Sequence, residues 1–226
     1  MELIEKLMRD RHSVRQYKLD EIEVEKIEIL KNLIDEINEK SGSHIQLVIN
    51  DSACFDDFIL NYGKIVDCKN YIVLAGLDEK DLDEKMGYYG EELVLKAMEL
   101  GLNSCWVAGS YKRRSVKVDL KENERMVCVI ALGYGVNNGS ERRKKSFGEV
   151  CESSDVPSWF SKGVELALLA PTAINQQKFK LYYLGSNNVR IKVGIGPYVK
   201  IDLGIVKYHF EIGALIDGGI KVNWVK

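Results

Sequence analysis

Apolar positions recur along the chain with two rhythms, one helical and one extended. Leu3, Ile4, Leu7 and Met8 gather on one side of a short amphipathic helix over residues 2–9. Val24, Ile27, Leu30, Ile34 and Ile37 repeat at helical spacing. Asp20 and Glu23 precede them in the positions of an N-cap and its partner, and Ser41-Gly42 supplies the stop. Residues 45–49 and 71–75 read as strands, the second buried. Tyr88 to Leu100 is predicted to be a helix ended by Gly101, and Ser104 to Ala108 an extended segment. Met126 to Leu132 is a strand rich in β-branched residues, closed by Gly133-Tyr134-Gly135. A polar, basic stretch runs to about Ser154, and then the pattern restarts. A helix over Ser158–Ala170 is stopped by Pro171, Phe179–Leu184 is a strand, Asp202–Ile216 an apolar helix and Lys221–Val225 a terminal strand.

The restart suggests a diverged duplication. Each half ends with a helix, a glycine break and a strand carrying a tryptophan. Gly90–Leu100, Gly101 and Cys105-Trp106 stand against Gly204–Ile216, Gly218-Gly219 and Asn223-Trp224. The expected organisation is a first half over 1–154 and a second over 155–226, forming one compact unit of α+β class.

Composition narrows the function. The 226 residues are 46% hydrophobic with only three prolines, enough for a sizeable core and against disorder. A net charge of −2 gives no footprint for nucleic acid. Five cysteines without a CxxC spacing make neither a disulfide framework nor a zinc pattern, and suit a reducing cytoplasm. The acidic N-terminal segment does not read as a signal peptide, and no apolar run nears the roughly 20 residues of a membrane span. The three histidines are scattered, so no catalytic metal is expected. No GxSxG occurs, and Gly133-x-Gly135 leads into polar sequence rather than a helix, against a dinucleotide fingerprint.

Two segments are richer in chemistry. Arg11, Ser13 and Arg15 alternate, so an extended backbone puts two guanidinium groups and a hydroxyl on one side, a set suited to a phosphate dianion. On local grounds alone an exposed basic turn is the simpler reading. Ala170-Pro171-Thr172-Ala173-Ile174-Asn175-Gln176-Gln177 joins a helix to a strand, and the amides of Asn175 and Gln177 suit the edge of a ring such as flavin. An ordinary connecting loop is the alternative.

Together these segments resemble the FMN-dependent nitroreductase family. Arg11 to Tyr17 is similar to its N-terminal phosphate- and ribityl-binding motif, and Ala170 to Gln177 to its flavin-contacting loop. Gly90 to Trp106 resembles its long central helix and following strand, and Ala131 to Gly135 its next strand and turn. The resemblance implies an α/β sandwich with an antiparallel-rich mixed sheet flanked by helices, in two pseudo-repeats. It implies that Arg11, His12, Ser13 and Arg15 hold phosphate and ribityl groups. Asn61 and Lys64 approach the flavin, with Lys64 stabilising charge on the reduced ring. Ala108 and Gly109 present backbone N–H groups toward flavin N5, and Arg142 and Lys144 close on the phosphate. Pro171, Thr172, Ala173, Asn175 and Gln177 contact the ring. Trp106 or Tyr111 are candidates for the substrate side, though core packing is the commoner role of such residues.

The chain departs from the family in where that loop lies. The usual place holds Ser41-Gly42-Ser43-His44-Ile45-Gln46, without the pattern, and the loop stands in the second half instead; Lys178 also replaces a usual proline. The expectation is a fused pseudo-dimer, monomeric with a homodimer as the alternative, with one FMN per chain and a site drawn from both halves. The chemistry implied is ping-pong hydride transfer from NADH or NADPH through flavin N5 to a nitroaromatic, quinone or similar acceptor. Reductive dehalogenation, flavin fragmentation and a non-catalytic flavin-binding role are the alternatives.

Overall fold

A computed structural model describes residues 2–56, 63–141, 143–153 and 155–225. The chain divides into two compact units. One comprises Arg11–Met86 and Glu92–Glu141; the other comprises Met1–Asp10, Gly87–Glu91 and Arg142–Lys226.

The central unit is built on a four-stranded sheet, β1 (Gln46–Val48), β2 (Asn70–Leu77), β3 (Asn103–Val107) and β4 (Glu124–Gly133), in the order β1-β2-β4-β3 with every pairing antiparallel. β2 and β4 are buried almost throughout, which explains their nearly unbroken apolar sequence. Helix α2 (Val24–Ser41) buries Leu30, Ile34 and Ile37, and Gly42 ends it in the left-handed conformation. Glu23, not Asp20, is its N-cap, and it makes no side-chain capping bond. Helix α3 (Leu82–Glu99) begins six residues before the predicted start at Tyr88. Its early turns carry Asp83, Glu84 and Lys85, which mask the apolar Leu82 and Met86 from a periodicity reading.

The other unit holds α1 (Glu2–Asp10), the short α4 (Phe147–Val150), α5 (Ser158–Ala167), α6 (Val199–Gly218) and a three-stranded sheet. That sheet comprises β5 (Phe179–Tyr183), β6 (Asn188–Val193) and β7 (Asn223–Trp224). β5 and β6 pair antiparallel, β6 and β7 parallel. β6 is absent from the sequence reading although Val189, Ile191 and Val193 alternate with Arg190 and Lys192; only Val189 of that face is buried. Helices α5 and α6 approach backbone to backbone. A Cβ on Gly213 would lie 2.6 Å from the Lys162 carbonyl oxygen and 2.7 Å from Gly163 Cα. Phe160, Phe210, Trp159, Tyr183 and Trp224 then form an edge-to-face and tilted aromatic cluster. α1 is tied to α5 by Lys162–Glu5 at 2.8 Å and by Arg9–Glu165. Helix α5 ends at Ala167, three residues before the predicted Ala170, and its last carbonyls are met by tight backbone bonds from Leu168, Leu169 and Ala170.

Candidate functional site

The predicted phosphate segment is an extended strip held by its backbone. Val14 N–H donates to the Ser104 carbonyl at 3.0 Å, Val66 N–H to Arg15 at 2.8 Å and Tyr17 N–H to Val66 at 3.1 Å. Lys18 N–H donates to Tyr134 and Val136 N–H to Gln16. The strip therefore runs against the outer edge of β3, the 63–66 segment and the turn after β4. Val14 and Tyr17 are buried in the unit's core, and the intervening residues take the other side. Ser110 Oγ donates to the Gly63 carbonyl at 3.0 Å, which joins the start of the 63–66 segment to the turn after β3. Arg11, His12, Ser13, Arg15, Lys64, Ala108 and Gly109 are thus brought together by three adjoining segments of one unit. Asn61 lies outside the described residues.

Burial pushes the Cys105 thiol above its ordinary range. The positive charges of Arg15 and Arg11 and the Ser13 hydroxyl pull in the opposite direction. All three groups therefore lie near enough to Cys105 to act on it. Arg11 is buried and Arg15 exposed. The strip is also cradled closely: a Cβ on Gly139 would lie 2.7 Å from His12 Cβ and 3.0 Å from the Ser13 carbonyl oxygen. His12 Nδ1 is buried with no hydrogen-bond partner among the described residues. A buried, unanswered ring nitrogen beside two guanidinium groups fits an anionic, hydroxyl-rich group such as the phosphate and ribityl chain of FMN.

The predicted ring-contacting loop is held differently. Its side chains grip neighbouring backbone. Gln177, 4% exposed, donates through Nε2 to the Arg143 carbonyl at 2.9 Å and accepts through Oε1 from Lys145 N–H at 3.0 Å. Asn175 Nδ2 also donates to Arg143 O, at 2.8 Å, and Lys145 Nζ donates to the Gln177 carbonyl at 2.7 Å. Gln177 N–H closes the loop onto Thr172 Oγ1 at 3.0 Å. The amides that the sequence offered to a flavin edge are thus engaged with the 143–145 backbone. The exposed Lys144 is carried between the two residues they grip; Arg142 lies outside the described residues. Backbone remains the loop's main outward resource. Ile174, Asn175 and Gln177 all take positive φ, at 47°, 54° and 42°. For a β-branched residue that is a strained conformation. Ile174 is nonetheless 68% exposed.

Residues that the sequence did not single out support this loop. Asp202, in the first turn of α6, accepts from Ala173 N–H at 2.9 Å and from Gln176 Nε2 at 2.7 Å. Burial raises its carboxyl to about 6, against the lowering effect of those two donors. Its only sequence signal is an acidic residue near a helix start, which is commonplace. Deeper in the same unit, His209 bridges the Leu166 carbonyl at 3.0 Å and Glu91 at 2.9 Å, wholly out of solvent. Of the aromatic candidates, Tyr111 lies in the core of the central unit and Trp106 is half-buried. All five cysteines are buried and free; burial takes Cys54 and Cys68 up to about 12, so their thiols are inert.

Comparison with known proteins agrees with this architecture. The chain matches the family described as "Putative TM nitroreductase" over residues 3–214. A "putative nitroreductase" of Thermotoga maritima shares the fold with a TM-score of 0.67, at 20% identity, over 94% of this chain and 84% of its own. A "putative nitroreductase in complex with FMN" from Desulfovibrio desulfuricans gives 0.52 at 21% identity, over 68% and 96%. A "putative NADH dehydrogenase/NAD(P)H nitroreductase" of Bacteroides thetaiotaomicron gives 0.53 at 19%, over 65% and 95%. No curated protein matches the chain. The mixed α/β architecture with two antiparallel-rich sheets is that of the nitroreductase fold. Because the family match runs through residues of both units and nearly the whole chain, this protein belongs to that nitroreductase family and, with it, to the oxidoreductases.

Proposed function

We propose that the protein is an FMN-dependent oxidoreductase that uses NADH or NADPH to reduce a small-molecule acceptor, a nitroaromatic, quinone or related compound. The observation that carries this reading is that Arg11, His12, Ser13, Arg15, Lys64, Ala108 and Gly109 stand on three adjoining segments of one unit, joined by backbone hydrogen bonds and by the Ser110 hydroxyl on the Gly63 carbonyl. The FMN-bound relative from Desulfovibrio desulfuricans supports the choice of flavin.

FMN, when bound, would supply ping-pong hydride-transfer chemistry between NADH or NADPH and the acceptor. The chain's part is to bind and orient. Arg11 and Arg15 offer planar donor forks to the phosphate, and Ser13 and His12 offer hydrogen-bonding groups beside them. Lys64, exposed, contributes positive charge for the pyrimidine side of the ring. Ala108 and Gly109, at the end of β3, contribute N–H groups. The family resemblance assigns Pro171, Thr172, Ala173, Asn175 and Gln177 to the ring and Arg142 and Lys144 to the phosphate. Each motif occurs once in the sequence, which supports one FMN per chain and an internally duplicated, monomeric protein. Five buried free thiols suit a cytoplasmic setting. No helix among the described residues is long and apolar enough to cross a membrane.

The test is the visible absorption spectrum of the purified protein, with released flavin counted per chain and solution mass measured alongside. The expected result is flavin bands, about one FMN per chain, bleaching with NADH or NADPH and recovery on adding a nitro compound or quinone. A protein that stays colourless after incubation with FMN overturns the reading.

A further inference from the structure

The Pro171–Gln177 loop is too strained to hold its shape by local preference. Three of its residues sit at positive φ without being glycine, and Ile174 takes that conformation while exposing most of its side chain. Burial does not hold Ile174 in place, so the restraint comes from neighbouring hydrogen bonds. On one side these are the Gln177 and Asn175 amides gripping Arg143 and Lys145. On the other side there is one side chain, Asp202.

Asp202 is 7% exposed. One carboxylate oxygen receives the Ala173 N–H and the other the Gln176 amide, which also donates to the Pro197 carbonyl at 2.8 Å. The Gln176 Oε1 is buried with no hydrogen-bond partner among the described residues, and it lies where a Cβ on Gly196 would stand. The arrangement requires Asp202 to accept twice. A protonated carboxyl has a donor on one oxygen, which cannot face the Gln176 NH2. It is satisfied only if the amide turns to present Oε1, and that turn gives up the Pro197 bond.

We propose that Asp202 is the positioning residue of the flavin-contacting loop, holding Ala173 and Gln176 in place in its ionised form and releasing them when protonated. The proposal rests on the FMN reading above for what the loop contacts. The surroundings of Asp202 place the change in an accessible range. Burial raises its carboxyl to about 6, the Ala173 N–H and Gln176 amide oppose this, and no charged side chain among the described residues contributes. The lysines nearest in sequence to these partners, Lys178 and Lys200, therefore do not set it; Lys178 Nζ is engaged with the Ile195 carbonyl.

The experiment compares the wild-type chain with Asp202→Asn, whose amide reproduces the donor of the protonated acid. Hydrogen exchange at the Ala173 amide is followed without flavin, and FMN affinity is measured by quenching of flavin fluorescence, both near pH 5 and near pH 8. The ratio of the two chains' dissociation constants cancels the titration of the FMN phosphate itself. Expected at the higher pH is roughly tenfold weaker FMN binding by D202N and a matching loss of Ala173 protection. At the lower pH the two chains converge. Gln176→Ala, which leaves α6 untouched, is expected to weaken binding in the same direction at the higher pH. Equal protection and equal affinity of D202N and wild type at both pH values overturn the proposal, as does a ratio unchanged by pH. If wild type binds no FMN, the functional reading falls. The exchange measurement then decides the role of Asp202 alone: pH-dependent protection lost in D202N sustains it, and pH-independent protection overturns it.

Discussion

The Arg11–Arg15 strip and the Pro171–Gln177 loop are both short connecting segments predicted to face one cofactor, yet they are built on opposite plans. The strip is fixed by its backbone, which is laced to β3, to Val66 and to the turn after β4, so the exposed Arg15 side chain is not needed to hold it. The loop is fixed by its side chains, and what it offers outward is strained backbone and the exposed Ile174. A side-chain substitution in the strip should therefore alter binding and spare the fold. The same kind of change in the loop should alter shape first and binding as a consequence.

The largest effect that would sharpen this contrast is expected in the strip. Replacing both Arg11 and Arg15 by alanine should weaken FMN binding by about a thousandfold, since two charge-assisted contacts are lost. Arg15→Ala alone should leave the thermal midpoint near that of wild type, because Arg15 is exposed. Fluorescence titration with thermal melts would show it, and a large fall in the melting point for Arg15→Ala would break the comparison.

A smaller effect separates loop shape from overall stability at Asp202. Its carboxyl sits at about 6 in the folded chain against an ordinary 3.8. Below about pH 4 the folded and unfolded chains both hold the proton, and the group is neutral to folding. As pH rises toward 6 the unfolded chain ionises first, so the folded state loses stability by an amount that levels off above about 6, roughly 3 kcal/mol. Asp202→Asn removes that slope. Urea unfolding at several pH values should show the variant gaining on wild type as pH rises, even while its FMN affinity falls behind. Parallel pH profiles for the two proteins would contradict the assignment.

The smallest expected effect is at Ile174. Glycine accepts φ near 47° without strain, and little burial is lost from a side chain already 68% exposed. Ile174→Gly should raise stability by about 1 kcal/mol and lower FMN affinity severalfold, through a looser loop. A destabilised variant would show that Ile174 is held by packing instead.

Much of this was readable before the structure. Helix α2, the buried strands β2 and β4, and the apolar α6 carry strong periodicity or long apolar runs, and each appears near its predicted place. The Arg11–Arg15 segment was legible as extended chain, because its alternating residue types follow the two-residue period of such a backbone. Boundaries were less legible. The start of α3 is hidden by charged residues in its first turns, and β6 was missed although Val189, Ile191 and Val193 alternate with Arg190 and Lys192. The Asp20 cap failed because acidic residues before a helix are common and only geometry decides which one caps.

The sequence by itself determined the kinds of element, the family resemblance and the cationic strip, because these depend on residue type and short-range spacing. Only the tertiary structure decided that Gln177 and Asn175 spend their amides on Arg143 and Lys145, and that Asp202 underlies the loop. Those partners stand between 26 and 34 residues apart in the chain. Hydrogen-bond pairing over such distances is set by how helices and strands pack, and nothing in local pattern encodes it.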